Sequence, residues 1–275
     1  MAKVVKKPKA SILDEAEDIV DEHEPQSVLL YGRAGTGKTT LAATYPKPLL
    51  LLDIKERGTR SIIGVPGVKR IRITDWEQLE EVYWALKDGS KYKSVCLDQL
   101  TAMQSLGMEH IREIAHVKEG DAFSQRNWGR LSGLMQQWIE AYRNLTDDGY
   151  NVIFNAHERV REPQEEDDDR IAPSVGSNLM GSVSSFVNGA VSIIGNTFIR
   201  EQHDKKTKSR EVQYCLRIGP HAYYAAKIRR PKSSGAPPDI IVDPSYEKIE
   251  KVSQGGSLGT KTKKVKSLAI VKRIK

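Results

Sequence analysis

The sequence predicts an α/β fold: a mostly parallel sheet flanked by helices, with a β-hairpin extending it toward the C-terminal end. Three observations carry this expectation. Apolar runs at 27–31, 49–53, 69–73, 94–97 and 151–155 read as strands, and helical patterns separate them. Strands alternating with helices imply parallel neighbours joined by helical crossovers. The run Gly32-Arg33-Ala34-Gly35-Thr36-Gly37-Lys38-Thr39-Thr40 then joins the first strand to a helix. Finally, strand-like runs at 190–200 and 210–217 flank His203-Asp204-Lys205-Lys206-Thr207-Lys208 and read as the hairpin.

The elements follow in order. Residues 1–24 are densely charged, basic first and then acidic from Asp14, and read as a flexible arm with a short helix starting at Ser11. Pro25 opens a core expected to span 25–245. A helix leaves the glycine-rich loop over 38–44. Thr74-Asp75-Trp76-Glu77 has the form of a capping box and opens a helix to Lys87. A long amphipathic helix begins near Asn127 and ends at Asp147-Asp148-Gly149. The acidic stretch 162–169 reads as loop, and 171–189 is rich in Ser, Gly and Asn. A turn at 233–238 precedes a short strand at 239–242. From Tyr246 onward, Gln254-Gly255-Gly256-Ser257 suggests a linker-like, flexible tail over 246–275.

Composition narrows the classes. A chain of 275 residues with 39% hydrophobic residues can bury a large core. No apolar run reaches the length of a membrane span, and the segment from Met1 to Lys9 lacks the apolar stretch of a signal peptide. The two cysteines, Cys96 and Cys215, lie in apolar runs and cannot build a disulfide framework or a metal cluster. A cytoplasmic protein is expected. The net charge of +7 is matched by the tail, where nine Lys or Arg face two Glu. A basic tail suits a polyanion such as nucleic acid, or serves as a solubilising end.

Gly32 to Thr39 fits G-x-x-x-x-G-K-[ST]. Gly35 and Gly37 let the backbone curl so that successive N–H groups face phosphate oxygens. Lys38 can reach the β- and γ-phosphates and Thr39 can ligate Mg²⁺. Residues Gly32 to Thr40 are therefore the expected nucleotide-binding set, with ATP and Mg²⁺ as ligands. Ser94-Val95-Cys96-Leu97-Asp98 reads as an apolar strand that delivers a carboxylate to the metal. The next residue is Gln99, where many AAA+ ATPases place a Glu that polarises the attacking water.

These pieces, with the turn Asp53-Ile54-Lys55-Glu56-Arg57-Gly58-Thr59, Asp98-Gln99-Leu100-Thr101, Asn155-Ala156-His157-Glu158 and Lys227-Ile228-Arg229, resemble the RecA/RadA core ATPases over about residues 26–243. The order is most similar to compact phage-encoded RecA-like ATPases, phage nucleotide-binding proteins that act in recombination and single-strand annealing. The resemblance implies a catalytic carboxylate after the second strand. That family places an acid two positions after the strand's Asp, where this chain has Lys55, so Glu56 is the first choice and Asp53 the reserve. It implies a γ-phosphate sensor after the fifth strand, His157 or Asn155. It also implies that Lys227 and Arg229 reach a neighbouring subunit's γ-phosphate, the alternative being a basic strand end.

The resemblance further implies DNA-binding loops at about 117–127, with Lys118, Phe123 and Arg126, and at about 158–185, with Arg159, Arg161 and Arg170. The expected protein is a DNA-stimulated ATPase working on single-stranded DNA in phage-type recombination. It would act in the host cytoplasm, as a homo-oligomer with ATP between subunits and alongside a single-stranded-DNA-binding protein. The rival reading is an ATP-controlled binding module or loader with little hydrolysis of its own.

Overall fold

The structure is a computed structural model, and it describes residues 24–56, 58–161, 174–203 and 210–258. The expected N-terminal arm, the acidic stretch 162–169 and the hairpin turn lie outside the described residues. The elements run β1 (Ser27–Gly32), α1 (Lys38–Ala42), β2 (Leu49–Ile54), β3 (Val68–Ile73), α2 (Trp76–Lys87), β4 (Ser94–Asp98), α3 (Leu100–Ile114) and α4 (Gln125–Asn144). They continue as β5 (Asn151–Arg161), β6 (Ser174–Ser177), α5 (Gly181–Ala190), β7 (Ile193–His203), β8 (Arg210–Arg217), β9 (Lys227–Ile228), β10 (Ile240–Val242) and α6 (Tyr246–Ser253).

The sheet order is β10-β8-β7-β1-β5-β4-β2-β3. The strands from β7 to β3 are parallel neighbours, while β8 and β10 add antiparallel. This is the expected architecture, hairpin included. Both faces of the central strands are covered, which is why they read as unbroken apolar runs and not as alternating ones. Leu29, Tyr31, Leu50 and Leu52 pack against α2, α3, α4 and α5 through Trp76, Met103, Leu131 and Val183. Val28, Leu30, Leu49 and Leu51 pack against α1 and α6 through Leu41, Ala42, Ile249 and Val252.

Several local expectations change. The cap of α2 is Asp75, one residue later than a box starting at Thr74. The Asp75 carboxylate accepts from the Gln78 N–H at 2.9 Å, and the Thr74 N–H donates back to Gln78 Oε1 at 2.9 Å. Helix α4 starts at Gln125, because Ser124 caps it through the Asn127 N–H. Helix α3 has no such signature: its N-cap residue, Gln99, makes no side-chain cap bond. The expected loop 158–185 is largely ordered structure where it is described. β5 runs on to Arg161 and pairs antiparallel with β6, and α5 follows.

The tail boundary also moves. Residues 246–253 form α6 and do not act as linker, with Ser245 capping the helix through the Lys248 N–H. Ile249 and Val252 are 0% exposed. An amphipathic helix this short gives little periodic signal beside the Gly255-Gly256 that follows it. Glu247 and Glu250 balance Lys248 and Lys251, so all seven net positive charges of the tail fall in 259–275. Truncation after residue 245 is therefore expected to lower stability. Two buried aliphatic side chains contribute roughly 3–6 kcal/mol, which lowers Tm by at least about 6 °C in a domain of this size. Truncation after Leu258 is expected to leave Tm unchanged. Thermal unfolding of both truncations checks this, and equal melting would mean α6 adds nothing to the core.

Candidate nucleotide-binding site

The site grows from the C-terminal ends of neighbouring parallel strands, where loops gather. β1 ends at Gly32, and here glycine is required by space: a Cβ would stand 2.3 Å from both the carbonyl oxygen and Oγ1 of Thr197 on β7. Gly35 and Gly37 take positive φ angles of 79° and 88°, as the curled loop demands. Thr36 Oγ1 donates to the Arg33 carbonyl at 2.8 Å and lies 2.7 Å from Thr197 Oγ1, which pins the loop to β7. No side chain caps the start of α1, so its first amides face the cavity uncapped.

Lys38 is buried in this loop, where its ammonium donates to the carbonyls of Gly32 and Arg33, each at 2.9 Å. Burial pushes its pKa down, opposed by the carboxylates of Asp98, Glu56 and Glu158. Thr39 Oγ1 donates to Asp98 Oδ2 at 2.7 Å, and Asn155 Nδ2 donates to Asp98 Oδ1 at 3.0 Å. Burial raises the Asp98 pKa above the usual carboxylate value, and these two hydrogen bonds oppose only part of that rise. The Thr39 hydroxyl and the Asp98 carboxylate are hard oxygen donors side by side. They fit a Mg²⁺ ion whose remaining ligands would be phosphate oxygens and water.

Glu56 enters the same cavity. Lys55 adopts a left-handed φ of 59°, and its own side chain pairs with Glu109 on α3. That turn sends the cation away, so the acid of this loop comes one residue later than in the family pattern. Glu56 Oε1 lies 3.1 Å from His157 Nε2. His157 is the register partner of Gly32 across the β1–β5 pair. The reserve, Asp53, is 3% exposed, lies 3.8 Å from Arg70 Nη1 and is not among the residues that line the cavity. Asn155 is engaged with Asp98, which leaves His157, within β5 at the last residue paired with β1, as the side chain facing the cavity.

The cavity has a volume of about 680 Å³. Its walls include Gly35 to Thr40, Glu56, Asp98, Gln99 and His157. Gln99 is 1% exposed, and neither amide atom has a hydrogen-bond partner among the described residues. In the sequence Gln99 stands out only as the residue where a glutamate is common. Thr197, Tyr214, Asp243 and Pro244 also line the cavity. No local motif marks them, because the β7–β8 hairpin and β10 bring them in from far along the chain.

Lys227 and Arg229 are not part of this assembly. Lys227 pairs with the start of β7, in register with Ile194, two strands from β5 and at the edge of the sheet opposite the loop. Its ammonium donates to the carbonyls of Asn188 and Gly189, and Arg229 Nη2 donates to Gly189 at 3.0 Å. Both cations thus satisfy the open carbonyls at the C-terminal end of α5, a favourable place for positive charge. Strand alternation does put the two side chains on one face, as expected, but that face meets α5.

Of the expected DNA loops, the first is described. Phe123 packs edge-on against Trp128 at 4.9 Å, and the Arg112 guanidinium lies 5.3 Å from the Phe123 ring. Trp128 is exposed and was missed because it lies just inside α4. In the second, Arg159 is exposed on β5 while Arg161 donates to the Leu179 carbonyl at 3.3 Å. Arg170 lies outside the described residues. No described helix is long and apolar enough to cross a membrane.

A parallel sheet with a glycine-rich loop at its first strand, a lysine folded into that loop and a hydrogen-bonded Thr–Asp pair beside it define a P-loop ATPase. The family model AAA_24, described as an AAA domain, matches residues 24–230, well over half the chain, and the chain belongs to that family. Among solved structures, the flagellar accessory protein FlaH from Methanocaldococcus jannaschii is similar at 9% identity and a TM-score of 0.42, over 80% of this chain and 85% of that one. No curated protein matches the sequence.

Proposed function

We propose that this chain binds and hydrolyses Mg–ATP in the cavity above β1, and that its nucleotide cycle acts on single-stranded DNA in phage-type recombination or annealing. One observation carries the ATPase reading: Lys38, the Thr39–Asp98 pair and the Glu56–His157 pair converge on a single cavity. Each does a different part of the chemistry. Lys38 exchanges two loop carbonyls for phosphate oxygens, a stronger charge-assisted bond. Mg²⁺ held by Thr39 and Asp98 would supply further positive charge to the phosphates. Glu56 takes the proton from a water whose oxygen attacks the γ-phosphorus. The bond from that phosphorus to the bridging oxygen breaks, and its electron pair stays on ADP. His157 exchanges its bond to Glu56 for one to a γ-phosphate oxygen and loses that bond after hydrolysis. Its backbone lies in β5 just before the β5–β6 pair, so the change reaches the segment expected to meet DNA.

The DNA reading is supported by exposed Trp128 beside Phe123 and Arg112, by exposed Arg159, and by the seven cations of 259–275. Aromatic rings beside cations suit single strands, whose bases are free to stack. A homo-oligomer with nucleotide between subunits, and a single-stranded-DNA-binding partner, belong to the same proposal. In such an oligomer Lys227 and Arg229 would exchange the α5 carbonyls they hold within the chain for a neighbouring subunit's γ-phosphate.

The test is ATP turnover with and without single-stranded DNA, together with DNA affinity across salt. DNA is expected to raise turnover severalfold. Truncation after Leu258 is expected to spare DNA-free turnover and to flatten the slope of log affinity against log salt by up to about 5, at roughly 0.7 per neutralised phosphate. Tight nucleotide binding without turnover, with or without DNA, would favour the second reading, an ATP-controlled loader. Gln99, an amide where a water-polarising glutamate is common, is the observation on that side.

A further inference from the structure

We infer that Tyr214 and Asp243 form a nucleobase subsite that takes an amino-bearing purine ring, an inference that rests on the ATP-binding reading. The direction of the nucleotide follows from the strand order. β5, β4 and β2 lie on one side of β1, and β7, β8 and β10 lie on the other. The groups outside the loop that are assigned to Mg²⁺ and the γ-phosphate end, His157, Asp98 and Glu56, all come from the β5–β4–β2 side. A triphosphate laid along the loop with its terminal phosphate there sends its base to the other side. In that direction the cavity is walled by Tyr214, Asp243 and Pro244.

This wall is suited to a flat ring. The Tyr214 ring is seated against the loop: its Cδ1 lies 3.1 Å from where a Cβ on Gly37 would stand. The ring is nonetheless 44% exposed, so it has a free surface toward the cavity. An aromatic ring held on one side and open on the other is a stacking platform for a base. On the Glu56 side, Gly58 and Ser61 line the cavity, and no described residue there offers an aromatic ring apart from the His157 imidazole.

Asp243 is held beside Tyr214 by the backbone. It takes a left-handed φ of 47°, and its N–H donates to the Tyr214 carbonyl at 2.7 Å. The Lys248 ammonium donates to the carbonyls of Asp243 at 2.7 Å and Val242 at 2.8 Å, fixing the turn from the α6 side. The Asp243 side chain is exposed and makes no hydrogen bond among the described residues. An ionised carboxylate only accepts hydrogen bonds. It therefore favours a ring that carries an amine over one that carries only hydrogen or an oxo group at that position. Loop glycine, stacking ring and amine acceptor are thus joined through one residue, and β8 with β10 supplies what the P-loop alone lacks: a reason to hold the base as well as the phosphates.

The experiment measures Mg-dependent binding of ATP, purine riboside triphosphate and inorganic triphosphate to the full chain. The wild type is expected to bind ATP at least tenfold more tightly than inorganic triphosphate, and about fivefold more tightly than purine riboside triphosphate. Tyr214→Ala is expected to weaken ATP about tenfold while inorganic triphosphate changes less than twofold, and Tyr214→Phe to retain ATP. Asp243→Gly, which keeps the left-handed turn without strain, is expected to bring ATP and purine riboside triphosphate to equal affinity. Equal loss of ATP and inorganic triphosphate in Tyr214→Ala would make the ring a mere prop for the loop and overturn the subsite. So would a wild type that binds inorganic triphosphate as tightly as ATP, although the P-loop reading would then stand. A wild type that binds none of the three would remove the P-loop reading itself, and the subsite with it.

Discussion

Lys38→Ala is expected to weaken ATP binding by roughly a hundredfold or more and to abolish turnover. The reason is geometric. Lys38 is the cation folded into the loop, with its ammonium on the Gly32 and Arg33 carbonyls. Removing one partner of a buried, hydrogen-bonded charge pair costs about 3 kcal/mol or more, which is roughly a hundredfold in affinity. The fold should survive, because the two carbonyls it leaves stand at a cavity that water can enter. Calorimetric titration with ATP, alongside thermal unfolding, separates the two effects. Unchanged affinity in a folded variant would remove the central claim.

Glu56→Gln is expected to keep ATP affinity within a few-fold and to lower kcat about a hundredfold or more, the usual contribution of a positioned general base. Asp53→Asn is expected to act differently. Asp53 is buried beside Arg70, in register with Asp98 on the next strand, and does not line the cavity. Its loss should therefore lower stability more than turnover. Paired single-turnover and unfolding measurements on the two variants decide between the carboxylates. If Asp53→Asn stops hydrolysis in a stable protein and Glu56→Gln is silent, the assignment reverses.

The two carboxylates show why part of the site could be read from sequence and part could not. Both stand at the end of one apolar run, so sequence placed them together and left the choice open. The backbone separates them: the left-handed turn at Lys55 sends that lysine to Glu109 and presents Glu56 to His157. A residue's φ and a partner on α3 are not written in the local pattern. The same holds for Lys227 and Arg229, whose spacing matched a known element while the β7–β9 pairing carried both side chains to α5. α6 resembles a tail in sequence because two buried side chains on a short helix leave too small a periodic signal beside Gly255 and Gly256.

What the sequence by itself determined is what depends on near neighbours in the chain. The doubly covered strands follow from unbroken apolar runs. The phosphate loop follows from glycines that must take positive φ, with Lys38 and Thr39 at fixed offsets. The carboxylate of Asp98 follows from its place at a strand's end. What only the tertiary structure decided depends on contacts between distant segments. Thr197 makes Gly32 indispensable across 165 residues of chain, Asn155 orients Asp98 from the adjoining region of the sheet, and Tyr214 and Asp243 close the cavity from its far side. Local chemistry sets which groups a loop can offer. The register and order of the strands set which of them meet, and no stretch of sequence carries that information alone.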